Sequence, residues 1–123
     1  MKESTIIKID IKGFNKMAQA EDPDETSDYI LNYYQAIHSF ISQHGWRFVK
    51  GIGDCVLISA DSKTENISRL YEELSKKYYI SICYRQCNYA EKQISIDQYS
   101  CLDIFGKDIN NLFLCDSLTQ TLG

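Results

Sequence analysis

Residues 6–14 read IIKIDIKGF and residues 48–58 read FVKGIGDCVLI, and these two stretches decide the fold. Each is a short apolar run of the kind that forms a buried strand. Each also carries one aspartate, Asp10 or Asp54, close to a glycine, where backbone can approach a ligand. Two carboxylates that converge from adjacent strands repel each other unless a cation lies between them. The pair therefore indicates Mg²⁺ or Mn²⁺, two ions of which can hold a nucleoside triphosphate.

The composition is that of an ordinary globular protein. The chain has 123 residues, of which 44% are hydrophobic and 24% charged, so we expect one domain over residues 1–123. The formal net charge of −4 argues against a nucleic-acid binder, which would carry a basic surface. The sequence contains no run of eighteen apolar residues and no signal-peptide pattern. We therefore expect a cytoplasmic protein without a membrane segment.

Hydrophobic periodicity and turn residues predict eight segments. They are a strand over residues 5–11, a loop over 20–27, an amphipathic helix over 27–44, a hairpin of strands 46–51 and 54–60 around Ile52-Gly53, a helix over 62–77, a strand over 78–84, a weaker strand within 94–102 and a helix over 108–118. The order β-α-β-β-α-β predicts an α+β, ferredoxin-like palm, an antiparallel sheet with helices on one face. In that layout the first strand lies beside the hairpin, so Asp10 and Asp54 meet at one edge.

Three motifs together resemble the class III adenylate and guanylate cyclase catalytic domains. Residues 10–14 (DIKGF) resemble the family's D-I-x-G-F signature, and residues 50–54 (KGIGD) resemble its K-x-I-G-D hairpin. Residues 103–110 (DIFGKDIN) resemble its D-[IV]-[WF]-G-x-x-[VI]-N segment. The three motifs occur in the family's order and cover most of the chain. The family core is also a βαββαβ palm, which agrees with the order of the predicted segments.

The resemblance implies a reaction and the residues that bind the substrate phosphates. In that reaction a ribose hydroxyl attacks the α-phosphate of a nucleoside triphosphate, and a cyclic nucleotide second messenger and pyrophosphate leave. Asp10 and Asp54 match the metal-binding aspartates, and Ile11 would add a ligand from its backbone. The backbone turn that would hold the triphosphate consists of Ile11, Lys12, Gly13 and Phe14.

The resemblance also implies how the base and the ribose are recognised. Lys50 and Asp103 match the pair that reads the purine edge, and a donor beside an acceptor suits adenine, so ATP is favoured. Asn110 matches the asparagine that orients the ribose. In the family the site is shared between two subunits, so Lys50, Asp103 and Asn110 would face the metals of a partner chain. A homodimer is therefore expected.

The chain departs from the family pattern at two places. An arginine that stabilises the transition state is expected four residues after Asn110, where this chain has Leu114. Loss of that cation is costly unless another basic group serves, and the candidates are Arg85, Lys92 and Lys107. The sequence also ends at Gly123, earlier than class III domains usually do, which predicts a minimal palm.

Two alternatives remain open from the sequence. One is a catalytically inactive cyclase-like domain kept for dimerisation or regulation, although Asp10, Asp54 and Lys50 are all present. The other is a minimal palm similar to the CRISPR-polymerase-like enzymes that join nucleotides into cyclic dinucleotides for antiviral signalling. The short chain fits that second group, but its paired-acid G-G-D-D hairpin is not matched, because Cys55 follows Asp54.

Overall fold

A computed structural model describes residues 1–60 and 64–123 of the chain. In chain order the elements are β1 (Lys2–Ile11), α1 (Phe14–Ala20), α2 (Pro23–Ser42), β2 (Arg47–Ile52), β3 (Cys55–Ala60), α3 (Thr64–Ser75), β4 (Ile80–Ile96), β5 (Tyr99–Phe105), α4 (Lys107–Phe113) and β6 (Gln120–Leu122). The α+β class and the β-α-β-β-α-β core are as predicted. Within the described residues, no helix is both long and apolar enough to cross a membrane.

The strands form an antiparallel sheet in the order β2-β3-β1-β4-β5, and β6 pairs with β4. The first strand therefore lies beside the hairpin strand β3, as predicted, and the long strand β4 lies on its other side. In the register of β1 with β3, Ile9 lies opposite Val56. This register brings the end of β1 next to the turn between β2 and β3.

The residues of β1 alternate between the two faces of the sheet, as in any strand. Ile7, Ile9 and Ile11 are buried in the core beneath α2 and α3. Ile6 belongs to a second buried cluster that includes Ile109 and Leu112 of α4. The helices α2 and α3 thus cover one face, as predicted, and the short α4 packs on the opposite face.

Two predicted helix boundaries differ from the structure. The first long helix was expected at residue 27 after a loop over 20–27, but α2 begins at Pro23 with Asp22 as its N-cap residue. Proline fits the first helical position because its missing N–H has no helical partner there and its φ is already suitable. The helix predicted over 62–77 is observed as Thr64–Ser75, and residues 62 and 63 lie outside the described part of the chain.

The strands predicted over 78–84 and 94–102 are wrong in their extent. The strand β4 runs for 17 residues from Ile80 to Ile96 and then pairs with β5 in a hairpin. The turn falls at Asp97, whose φ is 53°, inside the segment predicted as strand. Aspartate tolerates this left-handed conformation better than most residues, and the sequence Asp97-Gln98 lacks the glycine that usually marks such a turn.

The last helix is shorter than the predicted segment 108–118. The helix α4 ends at Phe113, and Cys115 adopts a φ of 55° that a helix cannot continue through. Leu118 is 67% exposed, so its apolar side chain does not extend the buried stripe of Ile109 and Leu112.

Candidate active site

Asp10 and Asp54 lie at the same end of the sheet. Asp10 is the penultimate residue of β1, and Asp54 stands in the turn between β2 and β3. The Asp54 Oδ2 atom accepts a hydrogen bond of 2.9 Å from the backbone amide of Ile11. Both carboxylates line a cavity of about 300 Å³, together with residues from the turn that follows β1. The structure thus brings residues 6–14 and 48–58 together, with both aspartates at the same end of the sheet.

The turn after β1 is open around its glycine. Gly13 has a φ of 72°, which favours glycine, and a Cβ placed there would meet no atom within 4 Å. Ile11, Gly13 and Phe14 line the cavity beside the aspartates. The amide of Lys12 instead donates 2.7 Å to the carbonyl of Tyr79, and its ammonium lies 4.7 Å from that ring's centroid.

A lysine that the sequence analysis did not single out lies in contact with Asp10. The Lys8 ammonium donates to the Asp10 carboxylate, and the exposed fractions of the two side chains are 16% and 29%. Burial of Lys8 acts to lower its pKa, but the hydrogen bond and charge of Asp10 outweigh it, so the pKa of Lys8 is raised. Lys8 therefore stays charged. Its spacing of two residues from Asp10 along a strand is the signal that places both on one face.

The thiol next to Asp54 is held neutral. Burial, and next the negative charge of Asp10, raise the pKa of Cys55 to about 12. A protonated thiol is a poor metal ligand because the thiolate is the ligand form. The carboxylates, rather than Cys55, are therefore the negative groups of the cavity.

A tyrosine of α2 holds the hairpin turn that carries Asp54. The Tyr34 hydroxyl donates a hydrogen bond of 2.6 Å to the carbonyl of Gly53. The Tyr34 ring also lies edge-on to Phe48 of β2, with 5.6 Å between ring centroids. A Cβ on Gly51 would overlap the ring and hydroxyl of Tyr34, so the ring occupies space that only glycine leaves free. From the sequence, Tyr34 was predicted only to lie within the helix over residues 27–44, without a role at the site.

Lys50 and Asp103 meet although their strands stand at opposite ends of the sheet order. The Lys50 ammonium donates 3.0 Å to Asp103 Oδ2, and the two side chains are 17% and 21% exposed. The other carboxylate oxygen, Oδ1, accepts a hydrogen bond of 2.8 Å from the amide of Ile104. A donor and an acceptor thus stand side by side with part of their surface open to solvent.

The structure leaves Asn110 exposed on α4. Leu114, at the position of the family's arginine, is 78% exposed. Of the three candidate replacements, Arg85 is buried and forms ion pairs with Asp108, at 3.1 Å, and with Asp116. Arg85 lies on β4, so these ion pairs hold α4 and the turn that follows it against that strand. Lys92 and Lys107 are exposed.

The described residues contain no group of three or more His, Cys, Asp and Glu side chains that could hold a metal ion by themselves. Asp10 and Asp54 nevertheless suit a hard cation, since Mg²⁺ is commonly held by one or two carboxylates together with substrate phosphates. The open turn at Gly13 leaves room for such phosphates. The two carboxylates therefore fit a divalent ion that also binds phosphate oxygens.

Comparison of the sequence with family models finds one match. The model of the adenylate and guanylate cyclase catalytic domain matches residues 1–96, which include Asp10, Lys50 and Asp54. Among curated proteins, no sequence matches this chain significantly.

Solved cyclase structures share the fold. The guanylate cyclase domain of RhGC from Catenaria anguillulae, in complex with GTP, is 13% identical with a TM-score of 0.77, and the match covers 98% of this chain and 77% of that one. The non-canonical dimeric guanylyl cyclase domain of the RhoGC fusion protein from the aquatic fungus Blastocladiella emersonii is 12% identical with a TM-score of 0.76, and the match covers 98% of this chain and 76% of that one. The adenylyl cyclase CyaB from P. aeruginosa is 15% identical with a TM-score of 0.69, over 97% and 73%.

Proposed function

The chain belongs to the adenylate and guanylate cyclase catalytic domain family, and we propose that it converts a nucleoside triphosphate, with ATP favoured, into a cyclic nucleotide and pyrophosphate. The observation that carries this proposal is the junction of Asp54 with the end of β1, where its carboxylate binds the Ile11 amide. This junction holds two acids and an open backbone turn around one cavity. The chemistry needs that combination, since phosphoryl transfer depends on positioning and charge stabilisation.

Class III cyclases generally use divalent metals, and the proposed ligands here are the carboxylates of Asp10 and Asp54 and the backbone carbonyl of Ile11. The proposal is for two ions, Mg²⁺ or Mn²⁺. Ions held by these groups would supply activation of the attacking ribose hydroxyl and stabilisation of the charge that develops on the α-phosphate. The chain's own contribution is to hold the carboxylates at one end of the sheet and to leave the turn open at Gly13 for the triphosphate, whereas the Ile11 and Lys12 amides are already bonded to Asp54 and Tyr79.

Selection of adenine rests on Lys50 and Asp103. An ammonium donor suits the N1 acceptor of adenine, and a carboxylate acceptor suits its amino group. The two groups already lie 3.0 Å apart, so a purine edge that inserts between them exchanges one hydrogen bond for two. Asn110, exposed on α4, is proposed to bind the ribose.

The proposed assembly is a homodimer in the cytoplasm with the active sites at its interface. Lys50 and Asp103 would then read a base whose phosphates lie against Asp10 and Asp54 of the partner. Support for the pairing of two chains comes from the related RhoGC guanylyl cyclase domain, which forms a non-canonical dimer. Asn110 lies on the surface of α4, where a second chain can reach it.

Product analysis tests the proposal. The purified protein is incubated with each of the four ribonucleoside triphosphates and Mg²⁺ or Mn²⁺, and the products are identified by mass spectrometry. A cyclic mononucleotide that forms fastest from ATP supports the proposal. A cyclic dinucleotide supports the CRISPR-polymerase-like alternative, and the absence of any product supports an inactive regulatory domain.

A further inference from the structure

We infer that Tyr34 is a positioning residue, whose hydroxyl fixes the hairpin turn so that the Asp54 carboxylate is held ready for a divalent ion. The inference rests on the proposed function, because it assigns a role toward the same metal site. It starts from the hydrogen bond of 2.6 Å between the Tyr34 hydroxyl and the Gly53 carbonyl. Gly53 directly precedes Asp54, so this bond acts on the backbone that carries the carboxylate.

The pairing of Ile52 with Cys55 closes the turn, but the turn itself is open to solvent. Ile52 is 58% exposed and Gly53 is exposed. Gly53 has a φ of 57°, and glycine retains more backbone freedom than any other residue. Residues in a turn of this kind lose their order first unless side chains hold them. Tyr34 supplies that restraint from α2, an element that packs on the core.

Asp54 is consequently held from two directions. Its carboxylate binds the Ile11 amide at 2.9 Å, and its preceding peptide binds the Tyr34 hydroxyl. The first bond sets the distance of Asp54 from β1, and the second sets the orientation of the turn. Partners behind a metal ligand commonly raise metal affinity because they reduce the ordering that binding requires.

Gly51 provides independent evidence for this arrangement. No positive φ explains a glycine at this position, yet a Cβ there would overlap the Tyr34 ring and hydroxyl. Because Gly51 has no side chain, the Tyr34 ring can lie close to the hairpin, and its hydroxyl can reach the Gly53 carbonyl. Gly51→Ala would keep the Tyr34 hydroxyl but push it away from the Gly53 carbonyl.

The chain also contains a matched control. Tyr33 is the neighbouring tyrosine on α2 and is fully buried, and its hydroxyl has no hydrogen-bond partner among the described residues. Tyr33→Phe and Tyr34→Phe therefore make the same chemical change one position apart. Only the second removes a bond to the turn.

The experiment compares Mn²⁺ binding by the wild-type protein, Tyr34→Phe, Gly51→Ala and Tyr33→Phe. Each protein is saturated with 3′-deoxy-ATP, which lacks the attacking hydroxyl, and free Mn²⁺ is followed by electron paramagnetic resonance. We expect Tyr34→Phe and Gly51→Ala to bind Mn²⁺ about threefold to tenfold more weakly than wild type. Tyr33→Phe should bind as wild type does. With ATP as substrate, saturating Mn²⁺ should restore the kcat of Tyr34→Phe, because the hydroxyl positions a ligand and does not react.

Each outcome has a distinct meaning. Equal Mn²⁺ affinity of wild type and Tyr34→Phe overturns the inference and leaves the proposed function intact. Weakening of Tyr33→Phe by the same factor also overturns it, because the effect would then come from any loss of a hydroxyl on α2. If the wild-type protein binds no Mn²⁺, the proposed function and the inference fail together. Should Tyr34→Phe not fold, Gly51→Ala alone decides between these outcomes.

Discussion

Lys50 of β2 donates a hydrogen bond of 3.0 Å to Asp103 of β5, although β2 and β5 are the first and last strands of the sheet order. The length of β4 makes this contact possible. Its residues from Ile80 to Tyr89 pair with β1, and those from Ala90 onward pair with β5. The hairpin of β4 and β5 therefore extends beyond β1 and returns toward β2. Glu91 of this hairpin also binds Arg47 of β2.

The Lys50–Asp103 pair leads to a prediction about base preference. Lys50→Gln replaces an ammonium with a neutral amide, which offers an acceptor as well as a donor. We expect the ratio of kcat/KM for ATP to that for GTP to fall by about tenfold or more. The Mg²⁺ concentration that gives half-maximal activity should stay the same. An unchanged ATP-to-GTP ratio in steady-state assays would mean that the purine assignment is wrong.

Asp54→Asn removes the charge of residue 54 but can keep its hydrogen bond with the Ile11 amide. The asparagine Oδ1 atom can still accept the hydrogen bond from the Ile11 amide, so the circular dichroism spectrum and Tm should stay close to those of wild type. The loss of a negative metal ligand should reduce kcat by about a hundredfold or more. Full activity of a folded Asp54→Asn protein would remove Asp54 from the metal site.

Lys8→Met tests whether the Lys8 ammonium competes with a divalent ion for Asp10. The Lys8 ammonium occupies part of the Asp10 carboxylate, so a metal ion has to displace it there before it can bind. The pair is partly exposed and therefore modest in strength, so we expect the variant to bind Mn²⁺ about threefold to fivefold more tightly. Lys76→Met, at an exposed lysine that pairs with Glu73, is the control. Weaker Mn²⁺ binding by Lys8→Met would instead assign Lys8 to the support of Asp10 or of a phosphate.

The charge of Arg85 should matter for stability rather than for catalysis alone. Arg85→Met leaves Asp108 and Asp116 without the guanidinium that they share. The buried guanidinium is the group that holds both acids, so Tm should fall clearly, by roughly 5–10 °C. Arg69→Met, at an exposed arginine of α3, is the matched control. Equal Tm values of the two variants in thermal unfolding would contradict the role given to Arg85.

From the burial of the Cys87 thiol we predict a loss of stability in alkaline solution. Burial raises the pKa of the Cys87 thiol to about 11, whereas an unfolded chain titrates near pH 8.5. Below about pH 8.5 the folded and the unfolded chain both keep the Cys87 thiol proton, so the contribution of this burial to stability is fully present. As the pH rises toward about 11, only the unfolded chain releases that proton, and the contribution declines. Urea unfolding between about pH 8 and pH 10.5 should therefore show a shallower decline for Cys87→Ala than for wild type. Equal slopes for Cys87→Ala and wild type would contradict the prediction.

Much of the fold was predictable because its signals are local. The apolar alternation around Asp10 and the glycine-containing hairpin before Asp54 each predict a strand from neighbouring residues alone. The long hairpin of β4 and β5 was not predictable, since its turn at Asp97 uses a left-handed aspartate and no glycine. The end of α4 was missed for a related reason, because Leu118 continues an apolar pattern that Cys115 interrupts by conformation alone.

The sequence by itself determined the order of the β-α-β-β-α-β core, the family motifs and the identity of the candidate groups, because each depends on residues close together in the chain. The tertiary structure decided which of those groups touch. It joined Asp54 to Ile11, Lys50 to Asp103 and Tyr34 to Gly53. It also placed Lys8 against Asp10 and enclosed Arg85 in ion pairs. These contacts depend on strand register and on how far β4 extends, which arise from packing of the whole chain and not from any local pattern.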